Sequence, residues 1–428
     1  MENSLTKSDR NTIIKRGKIP PVPETKSYRS NNTEPEEKHM SQDEYLSTIP
    51  VGKLGIIALE SCKGIAKKVD DYIVEWRNSR NHEHTETIHF NEYKKESYLI
   101  DASCPRFGSG EAKGIIRESV RGDDLYFLVD VTNYSLTYTV SGQQNHMSPD
   151  DHFADLKRLI AAVGGKARRI TVIMPFLYES RQHKRSARES LDCAIALQEL
   201  VNMGVDGIIT FDAHDPRVQN ATPLNSFETV QPTYQFIKAL LRKHQDIVLD
   251  AAHTMVISPD EGAMGRAVYF GNVMGVDVGM FYKRRDYTTI INGRNPILAH
   301  EFLGSDVEGK DVIIVDDMIS SGESMLDVAS ELKKRKAKRI FVCATFGLFT
   351  NGLEKFDKAY ESGLIDRVIT TNLVYQTEEL LSRPYYTSAD MSKYIALLID
   401  ALNHDGSISE FLNPTDRIQA LLAKYNNR

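Results

Sequence analysis

The stretch from Asp311 to Ser324, DVIIVDDMISSGES, constrains the fold more than any other part of the chain. Val312 to Val315 are four branched apolar residues in succession, as expected of a strand buried on both faces of a parallel sheet. Two carboxylates, Asp316 and Asp317, follow at its end, the edge at which open α/β sheets bind ligands. A short loop of Ser320, Ser321, Gly322 and Ser324 then opens onto a helical pattern with Met325, Val328, Ala329 and Leu332 on one face. Such a loop can hold a phosphate: small residues admit a close backbone, N–H groups and hydroxyls donate, and the helix N-terminus favours an anion. The two carboxylates would repel that phosphate but would accept hydrogen bonds from hydroxyls. A diol and a phosphate on one small molecule suggest ribose 5-phosphate.

The rest of the chain supplies a frame for that site. Strands are expected at Leu54 to Leu59, Leu125 to Val131, Arg169 to Met174, Gly207 to Phe211, Thr254 to Ser258, Ile340 to Thr345 and Arg367 to Thr370. Helical stretches separate them, such as Leu191 to Met203, which Gly204 can cap. GVDGIITFDAH near Gly204 and LIDRVITTNLV near Leu364 read as the same helix-to-strand step taken twice. The expected fold is therefore α/β, with two similar doubly wound domains and mainly parallel sheets, residues 49–235 and 236–428. Residues 1–48, poor in large apolar side chains, read as a disordered tail, and Arg77 to Glu96 as a polar surface insertion.

Composition closes off other classes. With 41% hydrophobic and 26% charged residues, 428 positions suffice for two or three soluble domains with their own cores. No run approaches a membrane span and the N-terminus lacks the apolar centre of a signal peptide, so a cytoplasmic protein is expected. A net charge of -6 argues against non-specific nucleic-acid binding. Four cysteines, Cys62, Cys104, Cys193 and Cys343, have neither metal nor disulfide spacing. GSDVEGKD, Gly304 to Asp311, nearly fits a Walker A loop, but it precedes a strand and carries Asp311 where Ser or Thr is required.

The apolar run, Asp316-Asp317 and the Ser/Gly loop together resemble the ribose-phosphate motif of type I phosphoribosyltransferases and of ribose-phosphate pyrophosphokinases, the PRPP synthetases. Further motifs resemble the second of these families and stand in its order from about residue 104 to 375. The resemblance implies a ribose-5-phosphate site of Asp316, Asp317, Ser320, Ser321, Gly322 and Ser324. RFGSGEAKG implies an ATP site with Phe107, Ser109 and Glu111, on a loop that reaches a neighbouring subunit and so implies a homo-oligomer, a hexamer by the family's habit. Arg181 and Gln182 match an Arg-Gln pair that contacts the nucleotide, although His183 follows where the family usually has an acidic residue. FDAHD makes His214 a contact to ATP and its Mg²⁺, and SPDEGAMG makes Asp260 a second metal contact. In FYKRRDYTT, Lys283 and Arg285 match the catalytic pair, on a mobile loop running to about His300.

The implied reaction is transfer of diphosphate from Mg-ATP to ribose 5-phosphate, with two rivals retained: a non-catalytic regulatory homologue, suggested by Ser109, His183, Ala263 and Glu323, and a phosphoribosyltransferase. Glu323, where the family has a small residue, must turn its carboxylate away from the phosphate.

Overall fold

A computed structural model of the chain describes residues 48–80, 92–285 and 297–426, with the backbone alone for 283–285 and 297–300. The expected tail lies outside the described residues. Through the first half run strands β1 (Leu54–Ala58), β2 (Ala102–Ser103), β3 (Ile115–Ile116), β4 (Asp124–Leu128), β5 (Thr137–Val140), β6 (Gln143–His146), β7 (Arg169–Ile173), β8 (Gly207–Phe211) and β9 (Ser226–Val230). Five of them form a parallel sheet in the order β1-β4-β7-β8-β9, while β2-β3 and β5-β6 are small antiparallel ribbons. The second half contributes β10 (Thr254–Ser258), β11 (Asp277–Arg285), β12 (Ile297–Leu303), β13 (Asp311–Ile319), β14 (Arg339–Gly347), β15 (Arg367–Thr371) and β16 (Tyr386–Ala389). They pair as β12-β11-β10-β13-β14-β15-β16, with only β12 antiparallel. The mainly parallel α/β architecture is the one expected.

Branched apolar residues along β13 divide between the sheet's two faces, as a period of two requires. Val312 and Ile314 pack with Met325, Val328 and Leu332 of the helix Glu323–Lys334, and Ile313 and Val315 with Phe236 and Leu240 of the helix Thr233–Lys243. Both faces of its first half are therefore dry, and the strand's polar side chains are Asp311 at its start and Asp316-Asp317 beyond the apolar run.

The repeated step is visible in the contacts. At the start of β4 and β7, Arg169 donates Nε and Nη2 to the two oxygens of Asp124 at 2.8 and 2.7 Å, and Ile170 and Asp206 are joined by two hydrogen bonds. At the start of β13 and β14, Arg339 does the same to Asp311 at 2.8 and 2.6 Å, and Ile340 and Asp366 are joined in the same way.

Two expectations need correction. Arg77 belongs to the helix Lys63–Ser79 and, with Arg80 and Tyr93, is buried rather than part of a surface insertion. Arg77 Nε and Arg80 Nη2 donate to Asp400 at 2.9 and 2.6 Å, and Arg77 lies over the rings of Tyr93 and Tyr98. Their partner lies on the helix Ser392–Asn403, which packs along Lys63–Ser79 late in the chain. Secondly, the loop expected to run to about His300 ends sooner, because Ile297–Leu303 is a strand paired with β11. Residues 286–296 lie outside the described residues.

Candidate active site

Strand order places the site. Chain order reverses between β10 and β13: β10 is followed by β11 on one side, and β13 by β14 on the other. The connecting helices Met264–Met274 and Glu323–Lys334 consequently pack on opposite faces, and a crevice opens beyond the carboxyl ends of the two central strands. Ser258-Pro259-Asp260 leaves β10 there, and Asp316-Asp317 lie just past the stretch of β13 paired with β10, while β13 stays paired with β14 to Ile319.

The two carboxylates differ in surroundings. Asp317 is buried, and its Oδ2 accepts from His214 Nδ1 at 2.6 Å; His214 follows β8 of the first sheet. Burial raises the Asp317 carboxyl, but the His214 hydrogen bond and the Arg266 guanidinium outweigh it and hold it low. The same bond raises the His214 imidazole above its ordinary value, burial opposing. Asp316 Oδ1 accepts from the Asp317 N–H at 2.9 Å and lies 3.6 Å from Arg266 Nη1. Burial, then the charge on Asp317, push the Asp316 carboxyl well above the ordinary range. Of the two, Asp316 is the member that takes a proton more readily.

Arg266 joins the two sheets at this point. It reaches Asp212 Oδ1 from Nε and Nη2 at 3.2 and 3.1 Å, while Thr345 Oγ1 donates to Asp212 Oδ2 at 2.7 Å. Asp212 has φ of 40°, a left-handed conformation that costs a non-glycine residue roughly 1 kcal/mol or more and is held here by these three contacts. Phe176 of the first half meets Phe346 of the second edge to face, with centroids 5.0 Å apart.

The serine loop is shaped from below. Gly322 has φ of 80°, and a Cβ there would come within 2.3 Å of the Phe356 ring. Leu348 N–H donates to the Ile319 carbonyl at 2.9 Å and Thr350 N–H to the Ser320 carbonyl at 2.9 Å. Tying back these carbonyls removes the groups that would repel a phosphate and leaves the loop's donors to bind it.

The other expected residues fall into four groups. Lys283 and Arg285 lie on β11 next to β10, in register with His300 and Ile297 of β12. Asp260 Oδ1 accepts from Gly262 and Ala263 N–H at 3.0 and 3.3 Å, which fixes its carboxylate beside the crevice. Arg181 is exposed, whereas Gln182 donates Nε2 to the Ser190 carbonyl at 2.8 Å and so braces its own loop. His183 brings that loop to His214: the rings meet edge to face at 5.4 Å, and His183 Nε2 is 3.4 Å from Asp215 Oδ2. Phe107, Ser109 and Glu111 form a separate turn. Ser109 Oγ donates to Glu111 Oε2 at 2.9 Å, Phe107 is half exposed, and Gly108 accepts from Ser141 at the tip of the β5-β6 ribbon. Among the described residues nothing bonds this turn to the His214–Asp317 cluster.

Comparison with known proteins decides the family. A family model for the N-terminal domain of ribose phosphate pyrophosphokinase matches residues 54–204, and one for a phosphoribosyl synthetase-associated domain matches residues 289–413. The ribose-phosphate pyrophosphokinase of Vibrio parahaemolyticus is 30% identical over 319 residues, 74% of this chain and 92% of the relative; that of Vibrio cholerae is 30% identical over 321 residues, with the same coverage. The chain belongs to the ribose-phosphate pyrophosphokinase family. A crystal structure of phosphoribosylpyrophosphate synthetase from Mycobacterium smegmatis shares the fold, with a TM-score of 0.63 and 22% identity over 83% of this chain and all of that one.

Within the ribose-phosphate pyrophosphokinase frame, several contributors lay beyond sequence reasoning. Arg266 directly follows the SPDEGAMG motif, but its link to Asp212 and Asp316 joins elements from two sheets and leaves no local signal. Thr345 falls at the end of an expected strand, and Phe356 stands in a stretch that carries no motif. A divalent cation would find Asp260 and the Nε2 of His214, since Nδ1 is committed to Asp317. Among the described residues no three His, Cys, Asp or Glu side chains converge into a metal cage, and the donors fit a hydrated cation carried on phosphate oxygens. No helix among the described residues is long and apolar enough to cross a membrane.

Proposed function

We propose that this chain transfers the β,γ-diphosphoryl group of Mg-ATP to the 1-hydroxyl of ribose 5-phosphate, giving 5-phosphoribosyl 1-diphosphate and AMP. The observation that carries this reading is the convergence of His214 from the first sheet on Asp317 of the second, at the strand reversal of a chain belonging to this family. A phosphoribosyltransferase would use the second sheet's loop and carboxylates but would have no need of a histidine brought in from another sheet.

In this reading Asp316 and Asp317 accept from the ribose hydroxyls, and Ser320, Ser321, Gly322 and Ser324 hold the 5-phosphate. Phe107, Ser109, Glu111, Arg181, Gln182 and His214 serve the nucleotide, with residues 49–235 as the ATP side and 236–428 as the sugar side. The exposed Phe107 turn suits an ATP site completed by a neighbouring subunit in a homo-oligomer. Mg²⁺, met by Asp260 and His214, would neutralise the phosphate oxygens. The 1-hydroxyl oxygen bonds to the β-phosphorus as the bond from that phosphorus to the AMP oxygen breaks. Charge that develops on the transferred group is stabilised by Lys283 and Arg285. Both substrates are charged phosphate compounds of the cell interior, which supports a cytoplasmic enzyme.

The test is AMP release from Mg-ATP by the purified protein, with and without ribose 5-phosphate. AMP formed only with the sugar phosphate, and a product that a phosphoribosyltransferase consumes, is the expected result. Binding of both substrates without turnover would make the chain a regulatory homologue instead.

A further inference from the structure

We infer that Lys355 is a positioning residue for the ribose-phosphate loop, holding the Glu323 carboxylate away from the sugar's 5-phosphate. The inference rests on the reading of that loop given above. Glu323 is the first residue of the helix Glu323–Lys334, directly after Gly322. An acidic side chain there is attracted to the same unpaired N–H groups and dipole that favour a phosphate. It is thus a rival anion built into the site.

The carboxylate is engaged elsewhere. Its Oε1 accepts from Lys355 Nζ at 2.5 Å, with both side chains exposed, and the ammonium lowers the Glu323 carboxyl below its ordinary value. Lys355 is not a chance neighbour. It lies on the helix Glu354–Glu361, whose next residue, Phe356, is fully buried and occupies the space a side chain at position 322 would need. The lead-in to that helix ties back the Ile319 and Ser320 carbonyls through Leu348 and Thr350. One segment, 348–356, therefore shapes the loop and carries the cation that disarms its carboxylate. With the pair intact the phosphate meets a neutral neighbour. Without Lys355 it meets a loose negative charge one residue from its donors. A single solvent-exposed charge at such range changes affinity by about three- to tenfold.

The experiment is steady-state kinetics of the full chain with Lys355→Met, Glu323→Gln, the double variant and Lys355→Arg, together with calorimetric Kd values for ribose 5-phosphate. Lys355→Met is expected to raise the KM and Kd for the sugar phosphate about three- to tenfold, with little change in kcat or in the KM for ATP. Lys355→Arg should restore the wild-type value. Glu323→Gln should tighten binding about twofold, and adding it to Lys355→Met should bring binding back to within about twofold of wild type. An unchanged Kd in Lys355→Met overturns the inference. So does an equal loss in the Glu323→Gln background, which would make Lys355 itself the phosphate contact, or a parallel shift for both substrates. Wild-type protein that releases no AMP would sink the proposed reaction alone, since the Kd series still reads the role of Lys355.

Discussion

At the amino ends of the first sheet Arg169 grips Asp124, and at those of the second Arg339 grips Asp311; at the carboxyl ends the likeness stops. At matching positions after Asp124 and Asp311 stand Asp130, just past the end of β4, and Asp317, within β13. Asp130 is closed in by the chain itself, accepting from Thr132 N–H and Oγ1 at 2.8 and 2.7 Å and from Tyr375 N–H at 2.7 Å. Asp317 accepts from a partly exposed histidine beside a crevice. Its neighbour Asp316 stands where the first half has the fully buried Val129, and Ser320, Ser321 and Gly322 stand where it has Asn133, Tyr134 and Ser135. The strand order of the first sheet never reverses, whereas that of the second does so between β10 and β13. One scaffold used twice leaves an open, carboxylate-lined crevice, the proposed sugar-phosphate site, only where a strand reversal opens it and side chains leave it unplugged.

The largest effect expected tests whether chemistry is confined to the second sheet. Lys283→Ala should lower kcat by about three orders of magnitude or more, roughly 4 kcal/mol of transition-state stabilisation, while ATP still binds. Near-normal turnover would remove Lys283 from the mechanism. Next comes the link that returns the late helix Ser392–Asn403 to the first half. Asp400→Ala leaves Arg77 and Arg80 buried without a counter-charge and should cost about 3–5 kcal/mol in urea unfolding. Burial raises the Asp400 carboxyl, but the two arginines outweigh it and hold it low. A depressed carboxyl contributes stability that is present above its unfolded value of about 4 and is lost as pH falls through the lower folded one. Acid sensitivity below about pH 4 should therefore diminish in Asp400→Asn, and an unchanged acid limb would refute this.

The paired aspartates sharpen the contrast. Asp317→Asn should raise the KM for ribose 5-phosphate about ten- to a hundredfold at little cost in stability. Asp130→Asn should lower stability by about 1–3 kcal/mol without a selective effect on that KM. If both variants behave alike, the two loops have not diverged in function.

How far this could be read in advance follows from the range of each interaction. Runs such as Val312 to Val315 and Ile208 to Phe211 declare buried strands locally, and Asp316, Asp317 and Gly322 belong to one contiguous motif, so the sheets and the place of the proposed sugar-phosphate loop are legible. Arg77 was misjudged because a polar stretch looks exposed unless its partner is known, and Asp400 lies far along the chain. Strand β12 was missed because its polar neighbours mask the pairing with β11. The Arg266–Asp212–Asp316 bridge and the clasp of Glu323 by Lys355 depend on helices and loops meeting in space, which no periodicity encodes.

The smallest effect probes the repeated arginine–aspartate grip. A lysine cannot reproduce two parallel hydrogen bonds to one carboxylate, so Arg169→Lys and Arg339→Lys should both destabilise, by about 1–2 kcal/mol each. They should not do so equally. Arg169 also donates to the Leu402 carbonyl at 2.7 Å and the Tyr126 hydroxyl at 3.1 Å, and its Asp124 partner, fully buried, accepts in addition from Asn403 at 2.9 Å. Arg339 has as its further partner the mostly exposed Asp246, a contact that solvent screens. The first-half grip therefore fastens the returning helix, while the second-half grip secures only its own sheet. Urea midpoints should place Arg169→Lys below Arg339→Lys, by a margin of up to about 1 kcal/mol. The reverse order would mean that the contacts to Leu402 and Asn403 add nothing, and that the two halves are equivalent at their amino ends after all.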